Sequence, residues 1–188
     1  ATSTAGTAYG EDVSFTAYQV PTVTTQAVTF IGTTTATGNG NVTALGVPNP
    51  TQHGVVWSTS PSPTTANSKT TDGAISVIGA FPSSMTGLTP GTLYYVRAYA
   101  TNSAGTSYGG EVSFITLLAP TVTTQAVTDI TTTTATGNGN ITALGTFNPT
   151  EHGVVWSTLA NPTIADSKTT DGPVSATGAF TSAITGLT

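Results

Sequence analysis

The stretch Pro21-Thr-Val-Thr-Thr-Gln-Ala-Val-Thr29 returns unchanged as Pro120-Thr-Val-Thr-Thr-Gln-Ala-Val-Thr128, about 99 residues further along the chain. No insertion interrupts the correspondence. His53-Gly-Val-Val-Trp-Ser-Thr59 comes back as His152-Gly-Val-Val-Trp-Ser-Thr158, and Thr70-Thr-Asp-Gly73 as Thr169-Thr-Asp-Gly172. Between residues 21–89 and 120–188 roughly three positions in four are identical. A period of this length is the size of one small domain, so the chain reads as domain-sized modules rather than as one large core. Ala5-Gly-Thr-Ala-Tyr-Gly10 with Val13-Ser-Phe15 matches Ala104-Gly-Thr-Ser-Tyr-Gly109 with Val112-Ser-Phe114. Residues 1–19 therefore read as the terminal strand of a preceding or neighbouring module, 20–117 as a complete module, and 118–188 as a second module lacking its last two strands.

About a quarter of the residues are threonine, and Val, Ile and Ala dominate the aliphatic content. β-Branched side chains fit a pleated surface and lose rotamer freedom in a helix, so the expectation is an all-β fold. Alternation and turn residues place strands at Val23–Val28, Thr33–Leu45, His53–Thr59, within Ala74–Met85, at Leu93–Thr101 and at Tyr108–Thr116. Gly38-Asn-Gly40 is expected to bend the second of these. Val47-Pro-Asn-Pro50 and Pro61-Ser-Pro63 bracket the third, because proline removes a ladder donor, and Asp72-Gly73 is a turn signal. About seven short strands per module point to a sandwich, in which the apolar face of one sheet covers that of another.

The segment Leu88-Thr-Pro-Gly-Thr-Leu-Tyr94, continuing through Tyr95-Val-Arg-Ala-Tyr99, resembles the fibronectin type III family and, more broadly, immunoglobulin-like modules of bacterial extracellular proteins. The Leu, Pro and Tyr spacing is similar to that family's entry into its sixth strand, where the tyrosine hydroxyl caps a sheet corner. The usual tryptophan of the second strand is missing, and Trp57 sits on the third instead. The resemblance implies tandem β-sandwiches used for adhesion, spacing or fibre building.

Side-chain chemistry is sparse. Lys69, Arg97 and Lys168 are the only basic residues against eight acidic ones, which argues against nucleic acid as a partner. There is no cysteine for a disulfide framework or a thiolate metal site. No segment approaches the roughly twenty apolar residues of a membrane-spanning helix. His53 and His152 stand alone, without the further ligands that a metal needs, and each is expected to satisfy a loop carbonyl beside the proline-rich turn. No motif joins a serine or threonine to a histidine and carboxylate for nucleophilic catalysis, and the acidic residues are too dispersed for calcium. The expectation is therefore no enzyme activity, no cofactor and no metal.

Three sets of residues remain as candidate sites. Asn41-Val-Thr43 and Asn140-Ile-Thr142 have the form of glycosylation acceptors at equivalent positions, with chance occurrence in a threonine-rich chain as the plainer account. Trp57, Trp156, Tyr95 and Tyr99 form a sugar-binding face if they point outward, and core if they do not. Tyr95 and Tyr99 share a parity opposite to that of Tyr94. Val13 and Phe15 belong to an inter-subunit strand if residues 1–18 complete a module of another chain. The rival account of the ends is a segment cut from a longer polypeptide.

Only 6% of the residues are charged, so the surface must rely on Thr, Ser and Asn for solubility, as suits an extracellular or cell-surface location. The leading expectation is a structural subunit of an extracellular fibre whose partners are copies of itself, with glycans as a further partner class. The alternative is a carbohydrate-binding or spacer module of a secreted enzyme or adhesin.

Overall fold

The computed structural model describes all 188 residues and is all-β. The strands are β1 (Thr2–Ser3), β2 (Gly6–Thr7), β3 (Thr22–Thr29), β4 (Ala36–Ala44), β5 (Gln52–Ser58), β6 (Ser68–Lys69), β7 (Gly79–Met85) and β8 (Leu93–Asn102). They continue as β9 (Gly105–Tyr108), β10 (Val112–Ile115), β11 (Thr121–Thr128), β12 (Thr134–Ala143), β13 (Val155–Trp156), β14 (Ser167–Lys168) and β15 (Gly178–Thr185). No helix of the structure is long and apolar enough to cross a membrane.

The strands form several small sheets. β1 pairs with β2; β3, β4 and β7 make one three-stranded sheet; β10, β8, β5 and β6 lie side by side in that order, with β9 added to β8. The order β3-β4-β7 recurs as β11-β12-β15. The pairing Val56↔Lys69 and Trp57↔Ser68 recurs as Val155↔Lys168 and Trp156↔Ser167. Sequence identity is thus carried into strand order and register.

The chain divides into two compact units. One comprises Ala1–Ala27, Gly38–Ser83 and Tyr95–Val112; the other comprises Val28–Thr37, Ser84–Tyr94 and Ser113–Thr188.

In the first unit the core is built from Val23, Val42, Val55, Val56, Phe81, Val96, Ala98, Tyr99 and Ala100, all buried. β4 is unbroken through Gly38-Asn39-Gly40, so the expected bend is absent. The glycines answer a packing need instead. Both occupy inward, buried positions of the strand, and a Cβ on Gly40 would lie 2.7 Å from Phe81 Cε1 and 2.8 Å from Ala98 Cβ. Thr25 of β3 accepts the Ala98 backbone N–H on its Oγ1 at 2.9 Å. The Asn102 amide closes the far end of β8, donating to the carbonyls of Gln19 and Pro48 at 2.7 Å each while Oδ1 accepts Ala104 N–H at 2.9 Å.

Asp72-Gly73 differs from a simple reversing turn. Gly73 does take a positive φ of 86°. Yet the chain from Thr70 to Gly73 stays alongside β5, with Thr70 N–H on Val55 O, Asp72 N–H on His53 O and His53 N–H on Gly73 O. The turn residue therefore sits inside an irregular extension of β6.

In the second unit Tyr94 is buried and stacks on Phe114 with ring centroids 5.8 Å apart. Its hydroxyl accepts the Thr89 backbone N–H at 3.0 Å. Thr116, fully buried, donates its hydroxyl to Thr89 O at 2.6 Å and accepts Thr92 N–H at 2.9 Å. Leu117 N–H bonds Gly32 O, and Leu118 exchanges bonds with Thr146 through Leu118 N–H to Thr146 Oγ1 and Thr146 N–H to Leu118 O. β12 runs between β11 and β15, with Ala135 opposite Ile184 and Val122 opposite Ile141. Ala135, Ile141, Ser182 and Ile184 are buried there.

Candidate functional site

The side chains most capable of chemistry are committed to holding loops against strands. His53 donates from Nδ1 to Gly73 O at 2.8 Å, and its ring meets Phe81 edge-on with centroids 4.7 Å apart. The carbonyl it satisfies belongs to Gly73 rather than to the proline-rich turn. Asp72 Oδ2 accepts the Ser83 hydroxyl in a short hydrogen bond and the Thr70 hydroxyl at 3.3 Å. The arrangement is repeated: His152 Nδ1 to Gly172 O at 2.8 Å, Phe180 at 4.9 Å from the imidazole, and Asp171 Oδ2 accepting from Ser182 and from Thr169 at 3.3 Å. A buried serine facing a carboxylate has its hydrogen bond made, so the network locks the chain after β6 and β14 onto β7 and β15.

The cations are similarly engaged. Arg97 Nε donates to Gly109 O at 2.9 Å, and its guanidinium carbon lies 4.7 Å above the Tyr108 ring. Lys69 donates to Thr65 O at 2.8 Å, and Lys168 lies 3.9 Å from Glu151. No group of three or more His, Asp or Glu stands in a position to hold a metal ion.

The aromatic residues do not make one face. Trp57 is directly opposite Val96, and Tyr95 directly opposite Ser58. Opposed residues of an antiparallel pair project to the same side, so Trp57 shares the side of buried Val96 while Tyr95 projects to the other. Trp57, Trp156 and Tyr95 are half-buried. Tyr99 is only 2% exposed and donates its hydroxyl to Thr70 O at 2.7 Å, which leaves no surface for a ligand. Burial, then the Asp72 carboxylate and the Tyr108 phenol, push its pKa above the ordinary value.

Asn41 and Asn140 lie half-buried on the central strands β4 and β12, and their sequon hydroxyls are engaged, Thr43 with Thr22 O at 3.3 Å and Thr142 with Thr121 O at 3.2 Å. Val13 and Phe15 belong to no strand and are 90% and 91% exposed. The same tripeptide at Val112-Ser113-Phe114 forms β10, where Phe114 is 7% exposed.

A groove of about 620 Å³ has walls that include Val127, Ile130, Ala135, Trp156, Ile184 and Leu187. Sequence reasoning located no groove. Matched residues differ in burial between the two repeats. Val55 and Val56 are fully buried, while their counterparts Val154 and Val155 are half-buried; Val23 is 5% exposed and Val122 is 62%. Strand β5 is seven residues long because β8 pairs with it from Gln52↔Thr101 to Ser58↔Tyr95. Its counterpart β13 has two residues and only β14 beside it, so the other edge of residues 151–157 is unpaired.

The chain matches no family model and no characterised protein sequence.

Proposed function

We propose that the chain is a structural subunit of an extracellular or cell-surface fibre. In this reading it is built from immunoglobulin-like, fibronectin type III-like β-sandwich modules set head to tail, joined either by strand donation between subunits or within one longer chain. Residues 20–117 are the complete module, 118–188 belong to a second module, and 1–19 are the terminal strand of a preceding or neighbouring one. The observation that carries this is the recurrence of one module's pattern: the strand order β3-β4-β7 and the pairings Val56↔Lys69 and Trp57↔Ser68 return as β11-β12-β15 and as Val155↔Lys168 and Trp156↔Ser167. A contact between different surfaces of successive subunits propagates into a filament.

The bond from Thr89 N–H to Tyr94 Oη, within a Leu-Thr-Pro-Gly-Thr-Leu-Tyr segment, supports the fibronectin type III-like assignment. The duplicated His–Gly and Asp–Ser ties support a structural role, because the groups that chemistry would need are consumed in holding the fold. One observation favours a second reading, a carbohydrate-binding module: Trp156 and Asp166 share the wall of the groove, and an aromatic plane beside a carboxylate suits a sugar ring.

Electron microscopy of the purified protein with an intact mass tests the proposal. Filaments support it, a short dissociated chain pointing to strand donation and a much longer one to a covalent array; monodisperse particles at all concentrations refute it and favour the carbohydrate-binding reading.

A further inference from the structure

We infer that β15 is a docking edge for a second copy of the chain, the two β15 strands pairing antiparallel about a two-fold axis and joining two three-stranded sheets into one. The contact is sideways, between like edges, and does not depend on the head-to-tail reading. It starts from one difference between the repeats. β7 reads Gly79-Ala-Phe-Pro-Ser-Ser-Met85 and β15 reads Gly178-Ala-Phe-Thr-Ser-Ala-Ile-Thr185, so Thr181 stands at the place of Pro82. Each strand ends its sheet, in the orders β3-β4-β7 and β11-β12-β15. β7 is an edge even though β8, β9 and β10 follow it, because those strands join the other sheet. The edge is thus a property of the module, whatever follows it in the chain.

The proline shows which backbone groups face outward. Proline has no N–H, and within a paired strand it is tolerated where the missing donor would point out of the sheet. Pro82 therefore directs its backbone nitrogen away from β4. Backbone groups alternate in direction along an antiparallel strand, so Ala80 and Ser84 point the same way as Pro82. The matched residues of β15 are Ala179, Thr181 and Ala183, all exposed, and their N–H and C=O groups turn away from β12.

Sheet edges in natural proteins are guarded by proline, by charge, by a bulge or by a covering segment. The first repeat uses proline. The second has none of these devices. β15 carries no proline and no charged residue, its register on β12 runs from Thr134↔Thr185 to Ile141↔Gly178 without a shift, and no other strand lies beside it. A symmetric contact sets each edge against its own kind, so a charge there would meet a like charge; β15 brings none. Turned about the two-fold axis, Thr181 lies beside Ala183 of the second copy and Ala183 beside its Thr181, with donor facing acceptor in both pairs. One guarded and one open edge of this kind in each chain gives a closed dimer rather than an endless sheet.

Thr181→Pro copies into β15 the residue that the first repeat holds at the same place, so the strand accepts it while the edge loses a central donor. Sedimentation velocity over a dilution series is expected to show a dimer for the native chain. Thr181→Pro is expected to weaken that dimer by roughly tenfold or more, with circular dichroism unchanged. Ala183→Lys, on the same exposed edge, brings like charges together across the joint and should also dissociate the dimer, with partial recovery at high salt. The converse variant, Pro82→Thr, gives each chain two open edges and is expected to extend the dimer into longer multimers. Loss of the dimer in a variant that keeps the native circular dichroism spectrum supports the proposal. A native chain that stays monomeric at all concentrations, or a dimer that both Thr181→Pro and Ala183→Lys leave intact, overturns it. A dimer without filaments in the microscope supports this edge and removes the fibre; filaments whose width is the same in Thr181→Pro remove this edge and leave the fibre standing.

Discussion

Substituting alanine for the matched glycines Gly40 and Gly139 asks whether the two repeats are packed differently in energy as well as in exposure. At Gly40 the added methyl would come within 2.7 Å of Phe81 Cε1 and 2.8 Å of Ala98 Cβ, both far inside van der Waals contact. Phe81 is 7% exposed and has His53 edge-on at 4.7 Å, so it has no free direction in which to retreat. Overpacking of this kind costs about 1–3 kcal/mol. A cost near 2 kcal/mol lowers the melting temperature of a domain this size by roughly 8–16 °C. At Gly139 the methyl would lie 2.6 Å from Phe180 Cε1; Phe180 has His152 edge-on at 4.9 Å, as Phe81 has His53, but it is half-buried and so has a solvent side toward which it can shift. Replacing a strand glycine also recovers about 0.5–1 kcal/mol by restricting the unfolded chain. Gly139→Ala is therefore expected to change stability by less than about 0.5 kcal/mol in either direction. Each repeat holds one tryptophan, Trp57 or Trp156, so fluorescence melts in Trp156→Phe and Trp57→Phe backgrounds follow the two separately. Equal shifts at the two sites, or a larger one at Gly139, would refute the argument that β8 makes the difference.

Further substitutions probe the ties that both repeats share. Asp72→Ala leaves the hydroxyl of Ser83, 2% exposed, without its acceptor and should cost about 2 kcal/mol in urea unfolding. Asp171→Ala should cost nearly as much, because Ser182 is also 2% exposed and its bond lies away from the open edge. Tyr94→Phe removes the acceptor for Thr89 N–H and should lower stability by about 1 kcal/mol, read as a fall in the urea midpoint. For Tyr99 the sign follows from its pKa, raised above 10.0 in the fold. The unfolded chain loses this proton first, so stability is intact below about pH 10 and falls as pH rises through the folded value. Tyr99→Phe should be less stable by about 1 kcal/mol at neutral pH and show a shallower alkaline decline, measured as melting temperature from pH 8 to 11. An unchanged alkaline slope would contradict the assignment.

The all-β character was legible because it rests on residue types and short periods, and those act locally. The alternation at Leu93–Thr101 predicts β8 nearly to its ends, Leu93–Asn102, and Val23–Val28 lies within β3. Gly38-Asn-Gly40 was misleading because a glycine that bends a strand and one that admits a facing ring look alike in sequence; only Phe81 and Ala98, distant in the chain, distinguish them. Tyr108–Thr116 splits into β9 and β10 at Gly109-Gly110, where Gly109 N–H bonds Ala98 O and a side chain would strike Thr24 and Thr25. Parity set Tyr95 and Tyr99 on one side of β8, but burial of Tyr99 depends on the chain at Thr70, which parity does not see. The Asp72–Ser83 tie escaped notice for the same reason, since nothing in the spacing of these residues marks them as partners.

The hairpin of β1 and β2 bears on how such a chain folds in time. It pairs Thr2↔Thr7 and Ser3↔Gly6, matching Thr101↔Thr106 and Asn102↔Gly105 between β8 and β9, although its residues are exposed and no larger sheet supports them. The turn is thus specified by local sequence and can close in about 1–10 μs, before distant strands have met. Nearly identical neighbours invite pairing with the wrong repeat, a characteristic failure of repetitive chains. A hairpin that sets its own register early presents β8 to its sheet already joined to β9, so the slow search for long-range partners starts with fewer mistakes available to it.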